Sequence, residues 1–159
     1  MTTFEWLLIL HLVGVFLLVG GSVTVTVLAI ARTRTSNTGV IHTLSMLAEI
    51  GEYGLIVPGA LMAIGFGSWL VSESGYSYGD DWIVSAYVLF GFAFSLGTLV
   101  LGPFNRRVGR EAKRLADEGV AESEELRKRA GNPIMALLGN LENVIIIAFI
   151  YLMVAKPSF

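Results

Sequence analysis

The chain has 159 residues, of which 54% are hydrophobic, and its mean hydropathy is +0.69. This composition excludes an ordinary soluble domain, in which apolar residues alternate with polar ones along amphipathic elements. The formal net charge of −2 says little about partners, and no nucleic-acid partner is expected of such an apolar chain. The lack of cysteine excludes disulfides, thiolate metal sites and thiol catalysis.

Four apolar stretches are long enough to cross a lipid bilayer, because a spanning helix needs about 20 predominantly apolar residues. They cover residues 4–31, 41–71, 82–102 and 133–154. Little of the chain remains outside them. We therefore expect a single all-α domain over residues 1–159, with four transmembrane helices in an up-down-up-down bundle.

The first stretch carries Glu5 and no Lys or Arg, and its apolar run is longer than the 7–15 residues of a signal-peptide core. It therefore predicts a retained span rather than a cleaved leader. His11 lies within it, where an ionisable side chain is costly and marks a candidate functional site.

The second stretch contains a pattern of small residues and an internal proline. Gly59, Ala63 and Gly67 are spaced four apart, which allows two helices to approach closely in lipid. This stripe predicts either packing within the bundle or a face for a homodimer or a larger membrane complex. Pro58 is expected to kink the helix or to leave a carbonyl unpaired.

Basic residues are concentrated in two of the three connections. Arg32 and Arg34 follow the first span, and eight more Lys and Arg residues lie in the link of residues 106–132, whereas residues 72–81 carry only acidic charges. The positive-inside rule then places both links in the cytoplasm and both termini outside, in a multi-pass protein of the cell (inner) membrane. The three tryptophans agree, since all fall at predicted outer span ends: Trp6, Trp69 and Trp82.

His11 comes out roughly 8 Å below the outer tryptophan plane at 1.5 Å per residue, a depth that Met62 and Tyr87 are expected to share. Imidazole with a thioether suits haem iron or copper, so His11 is the candidate metal ligand of this group. The alternative is a neutral histidine that hydrogen-bonds a Tyr, a Ser or a backbone carbonyl of the next helix.

Three carboxylates lie deeper by the same measure, with Glu142 at roughly 18 Å, Glu52 at roughly 25 Å and Glu49 at roughly 30 Å. Together with His11 they predict a polar ladder of the kind that relays protons across membranes. Glu49 has a simpler alternative at the inner interface, where it is solvated or paired with an arginine. Glu142 is harder to explain, because it has to be neutral, paired or facing an aqueous cavity.

Phosphate-binding glycine loops, nucleophile elbows and zinc-protease motifs are missing from the sequence. Catalysis by side chains alone is therefore not expected, and redox activity would need a cofactor. Three functions stay open: binding of haem b or copper at His11, transport through the carboxylates, or a structural role as a subunit of a larger complex.

Several short motifs carry a family resemblance over nearly the whole chain. They are "LHLVGVFLLVGG" with His11, "VPGALM", Trp82, "GPFNRR" and "LMVAKP". The chain resembles a bacterial family of predicted integral membrane proteins of unknown function, related to the superfamily of copper-resistance protein D and the HemJ-type protoporphyrinogen oxidases. The resemblance implies a four-helix membrane bundle and a haem or metal ligand at His11.

Overall fold

The computed structural model describes residues 2–158, and all secondary-structure elements in that part of the chain are helices. The elements are α1 (Thr3–Arg32), α2 (Thr38–Glu73), α3 (Asp81–Asp117), α4 (Glu124–Ala130) and α5 (Pro133–Ala155). Of the described helices, four are long and apolar enough to cross a membrane, the fourth being α5 together with the preceding α4. The prediction of an all-α, four-helix membrane protein is therefore confirmed.

The helix starts follow local capping chemistry. Thr2 and Glu5 form a reciprocal capping box at α1, which explains the acidic residue at the head of an apolar helix. Asn37 caps α2, Ser123 caps α4, and Asn132 caps α5 directly before Pro133.

Two of the long helices each contain a π-helical turn. In α2 the turn Glu52–Ile56 separates the α-helical parts Thr38–Gly51 and Val57–Glu73. In α3 the turn Gly97–Leu101 separates Asp81–Leu96 from Gly102–Asp117.

A proline follows each π turn and accounts for it. The N–H of Val57 donates to the carbonyl of Glu52, five residues earlier, and Pro58 comes next. Proline has no N–H, and its ring clashes with the carbonyl four residues back in a regular helix, so a wider turn relieves both problems. The N–H of Gly102 bonds the carbonyl of Gly97 in the same way, directly before Pro103.

α1 and α2 pack with their backbones in close contact. A Cβ atom at Gly59 would lie 2.5 Å from the backbone nitrogen of Leu18, and one at Gly14 would lie 2.7 Å from the nitrogen of Ala63. Only glycine permits this approach. The stripe of Gly59, Ala63 and Gly67 thus packs against α1 of the same chain.

Both basic links lie at the same end of the bundle, which we call the basic end. The hydroxyl of Thr38 donates to the carbonyl of Val120 at 2.6 Å, and the N–H of Ser123 donates to the carbonyl of Ser36 at 2.8 Å. Beneath these bonds lies the main apolar core of the described chain, made of Ile41, Val108, Ala112, Leu126 and Ala130.

The opposite end, which we call the terminal end, carries the loop 74–80. There the Nζ of Lys156 donates to the hydroxyl of Tyr76 at 2.8 Å and lies 5.6 Å from the ring centre of Trp82. This contact ties the end of α5 to the start of α3. The third helix also continues past its apolar stretch to Asp117, followed by Gly119 at positive φ and the short α4.

Candidate functional site

A cavity of about 510 Å³ lies between the four long helices, from the middle of the bundle to the basic end. Most of its lining side chains are apolar, including Phe90, Phe94 and Phe149. The lining also contains polar side chains from every long helix. These are Ser22, Thr26, Arg32, Thr33, Glu52, Thr98, Asn105, Asn140 and Glu142.

Glu142 enters the cavity from α5 at the level of the π turn in α3. A Cβ atom at Gly97 would lie only 2.9 Å from its Oε1 atom, so the carboxylate rests directly on the glycine that begins that turn. A larger residue at this position would displace the carboxylate. Among the ion pairs of residues 2–158 none involves Glu142.

Glu52 enters the same cavity from α2 and has a cationic partner. Its Oε1 atom accepts a hydrogen bond from Nη1 of Arg106 at 3.3 Å, and Arg106 also donates to the hydroxyl of Tyr53 at 3.1 Å. The carboxylate packs on Gly102, where a Cβ atom would lie 2.6 Å from Oε1. Glu52 is therefore held in place as one half of an ion pair.

The two carboxylates bracket the π turn of α3, since Gly97 begins it and Gly102 follows it. Both side chains line the central cavity. Only Glu52, however, has its negative charge compensated by a cationic side chain beside it. The site thus joins one paired and one unpaired carboxylate in an apolar cavity.

Arg32 lines the cavity toward the basic end and is only 2% exposed. Its Nη2 atom donates to Oδ1 of Asn105 at 2.7 Å, and its Nη1 atom donates to the hydroxyl of Ser45 at 3.4 Å. The Nε atom is buried and has no acceptor. In the described chain this guanidinium has neutral partners only.

His11 lies outside this cavity lining, in the contact between α1 and α2. Its Nδ1 atom is 2.9 Å from the carbonyl of Ala63, and its ring lies over Gly67, where a Cβ atom would be 2.9 Å from Nδ1. The backbone hydrogen bond that was the alternative to ligation is therefore present. A carbonyl only accepts, so Nδ1 carries the proton and Nε2 is left as an acceptor.

Met62 and Tyr87, the other two members of the His11 group, contact other residues. Met62 packs against Gly14, where an added Cβ atom would lie 2.7 Å from the Cβ atom of Met62. The hydroxyls of Tyr87 and Ser68 are 2.7 Å apart and join α3 to α2. In residues 2–158 no three His, Cys, Asp or Glu side chains converge as a group that could hold a metal ion.

The predicted ladder of four ionisable groups is divided by the fold. Glu142 and Glu52 meet in the cavity, whereas Glu49 is exposed on the surface of α2 and His11 faces Ala63. Glu49 lies three residues before Glu52, but the described cavity lining contains only Glu52.

Sequence reasoning missed three parts of this site. The sequence suggests Arg32 as a topological signal and, with Arg34, as a possible partner of Glu49, whereas the structure buries it beside Ser45 and Asn105. Gly97 and Gly102 were not singled out, because a glycine that makes room for a distant carboxylate has no local pattern. Pro103, next to Gly102, could have indicated this part of the site, since a proline inside a long helix predicts a disturbed turn nearby.

Comparison with known proteins identifies the family but no characterised relative. The family described as "Predicted integral membrane protein (DUF2269)" matches residues 5–157. The chain belongs to this family. No curated protein and no solved structure matches it. DUF2269 membership agrees with the four apolar helices and with a multi-pass protein of a lipid bilayer.

Proposed function

We propose that this protein is a small membrane transporter in which Glu142 binds the transported proton or cation inside the central cavity. The observation that carries the proposal is an unpaired carboxylate facing an interhelical cavity of about 510 Å³. A carboxylate in such a place has to be neutralised by a proton or a cation, and intramembrane carboxylates commonly mark ion pathways.

The two carboxylates then have different roles. Glu52 is balanced by Arg106 and is a fixed negative group of the same cavity. Glu142 has no such partner among the described ion pairs, so it is the group that exchanges its proton or cation with the solvent. Asn140 and Thr98 line the same cavity and offer polar contacts for water beside it.

The π turns give the site a means of moving. Single π turns within α-helices are frequent at functional sites, and here one carries Glu52 while the other supports Glu142 through Gly97. A shift at either turn would change the distance between the two carboxylates. Such a change would alter how strongly Glu142 holds its proton or cation.

The test is proton flux into liposomes that contain the purified protein, a trapped pH-sensitive dye and an imposed potassium diffusion potential. We expect Glu142→Gln to reduce flux at least about tenfold, since the amide keeps the size of the side chain and cannot carry the proton. Glu49→Gln is the matched control, because Glu49 is an exposed carboxylate of α2 outside the cavity lining. Equal flux with the unchanged protein, Glu142→Gln and Glu49→Gln, or flux no faster than in protein-free liposomes, would contradict proton transport through Glu142.

A second candidate function is the binding of haem b or copper by His11. It is favoured by the bond from Nδ1 to the carbonyl of Ala63, since a backbone acceptor on one ring nitrogen orients the other as a ligand. This candidate is also what a relationship to the copper-resistance protein D superfamily would imply.

The absorption spectrum of the purified protein, together with elemental analysis, tests this candidate. We expect a Soret band or bound copper that is lost in His11→Ala. A colourless preparation without bound metal, even after addition of haemin or copper, would contradict it.

A further inference from the structure

The buried guanidinium of Arg32 has no negative partner in the described chain. Its side chain is 2% exposed, its two polar contacts are the amide oxygen of Asn105 and the hydroxyl of Ser45, and its Nε has no acceptor. A buried charge that lacks a counter-charge is strongly unfavourable. Because Arg32 and Asn105 both line the central cavity, that counter-charge can be supplied by a ligand.

The chemistry of Arg32 selects the head group of such a ligand. A guanidinium offers five N–H groups, two of which are used by Ser45 and Asn105. The remaining donors include the Nε edge, and a carboxylate can bind a guanidinium through two parallel hydrogen bonds. A single negative charge is also favoured, since Glu52 and Glu142 line the same space and would repel a dianion.

The walls of the cavity indicate an apolar body for such a ligand. Between Arg32 and the middle of the bundle the lining is mainly apolar, with Ile56, Phe94 and Ile145 among its residues. A volume of about 510 Å³ lies in the range of pockets that enclose one small molecule. A single hydrocarbon chain therefore fits the chemistry of this space.

The gap between α1 and α5 is the candidate entry for such a ligand. A second cavity of about 310 Å³ lies between α1 and α5, lined by Val23, Asn143 and four other residues. Two of its lining residues, Thr26 and Ile146, also line the central cavity. The gap between α1 and α5 therefore adjoins the space that contains Arg32.

We propose that the central cavity binds a long-chain carboxylate, with its head group on Arg32 and Asn105 and its hydrocarbon chain among the apolar walls. The ligand enters from the bilayer between α1 and α5. This inference goes beyond the proposed function, since it adds an anionic ligand to the cavity in which Glu142 binds a proton or cation, and its binding is measured without transport.

The experiment is native mass spectrometry of the full chain in a non-ionic detergent, with palmitate as the probe. We expect one bound palmitate, at least about tenfold weaker binding of palmitamide, and an equal loss of palmitate binding in Arg32→Gln. Arg34→Gln is the matched control, because it removes the same charge from an exposed residue two positions away. Equal binding of palmitate and palmitamide, or full binding to Arg32→Gln, would overturn the proposal.

A second variant keeps the test valid if Arg32→Gln fails to fold. Gly139 lines the cavity, and a Cβ atom there meets nothing within 4 Å, so Gly139→Leu fills the space without touching Arg32. We expect Gly139→Leu to lose palmitate binding. Gly91→Leu should retain it, since Gly91 also has open space at its Cβ but lies outside the described cavity lining. Equal binding by these two variants would contradict the assignment.

Two further measurements separate the neighbouring explanations. Phosphatidylglycerol that displaces palmitate at equal concentration would overturn the single-chain assignment in favour of a two-chain lipid. The proton flux of the unchanged protein is the second measurement, because palmitate binding in detergent needs no proton gradient. A protein that binds palmitate but moves no protons therefore contradicts only the proposed function.

Discussion

The contact between α1 and α2 and the central cavity use glycine in opposite ways. In the α1–α2 contact, Gly14 and Gly59 bring two backbones together and leave no space for a ligand. In the cavity, Gly97 and Gly102 make room for the carboxylates of Glu142 and Glu52, and Gly139 faces open space. The first region is a closely packed pair of helices, and the second is a space that all four long helices line with apolar and polar side chains.

Small residues in a membrane helix therefore do not by themselves indicate a contact between helices. The stripe of Gly59, Ala63 and Gly67 follows the usual spacing and does form one. The glycines of the cavity are as small but serve the side chains placed opposite them. Substitution at Gly139, which faces open space, should therefore have the opposite effect to substitution at Gly59.

The largest effect is expected for Gly59→Val. A Cβ atom at this position would lie 2.5 Å from the backbone nitrogen of Leu18, and backbone cannot move aside as a flexible side chain can. We expect a loss of about 3 kcal/mol in the free energy of unfolding, or failure to assemble. Thermal unfolding in detergent, followed by circular dichroism, measures it.

Gly65→Val is the control for that prediction, since Gly65 lies in the same helix and a Cβ atom there meets nothing within 4 Å. Its melting temperature should stay close to that of the unchanged protein. Similar melting temperatures for the two variants would show that close packing at Gly59 does not stabilise the contact between α1 and α2.

His11→Ala is expected to have the next largest effect. It removes the hydrogen bond to the carbonyl of Ala63 and the ring that covers Gly67, at a cost of about 1 to 2 kcal/mol. His11→Asn should recover part of this loss, because its amide keeps a donor near the same place. If thermal unfolding shows no loss in His11→Ala, the histidine contributes nothing to the α1–α2 contact.

Gly139→Ala should raise stability, in contrast to the substitutions above. The added methyl group enters open space, and alanine favours a helix interior over glycine by about 0.5 to 1 kcal/mol. The measurement is again the melting temperature in detergent. A decrease would mean that Gly139 is in closer contact than the cavity allows.

The smallest effect is expected for Tyr87→Phe. The hydroxyl of Tyr87 is 2.7 Å from that of Ser68, and this bond joins α2 to α3 near the terminal end. Its loss should cost about 0.6 kcal/mol, the average for such bonds between membrane helices. Ser68→Ala should cost the same, and the double variant no more than either single one. Additive losses would show that the two hydroxyls act separately.

Much of the fold follows from local sequence. The four spans are readable because a bilayer requires long apolar helices whose backbone groups are all paired internally. Asn132 and Pro133 mark the start of α5, and Gly119 marks the break after α3, because capping and positive φ depend on residues close by. Pro58 likewise predicts the disturbed turn that the structure contains in α2.

The site was predictable only in part. Glu142 and Glu52 stand out in the sequence because ionisable groups are rare in spans. The partners could not be read in the same way, since Arg106 lies 54 residues after Glu52 and Ala63 lies 52 residues after His11. Which residues meet depends on helix rotation and tilt, and the hydropathy of a span that is apolar all round contains little information on either.

A four-helix membrane protein with a few ionisable groups among apolar residues can be inferred from the sequence alone. The reason is that the cost of a polar group in hydrocarbon acts on each residue separately. The contacts of those ionisable groups follow only from the tertiary structure. It placed His11 against a backbone carbonyl, Glu52 beside Arg106, Glu142 over Gly97, and Arg32 at a cavity without a counter-charge. These outcomes depend on how closely the helices approach, and that distance is set by pairs of residues far apart in the chain.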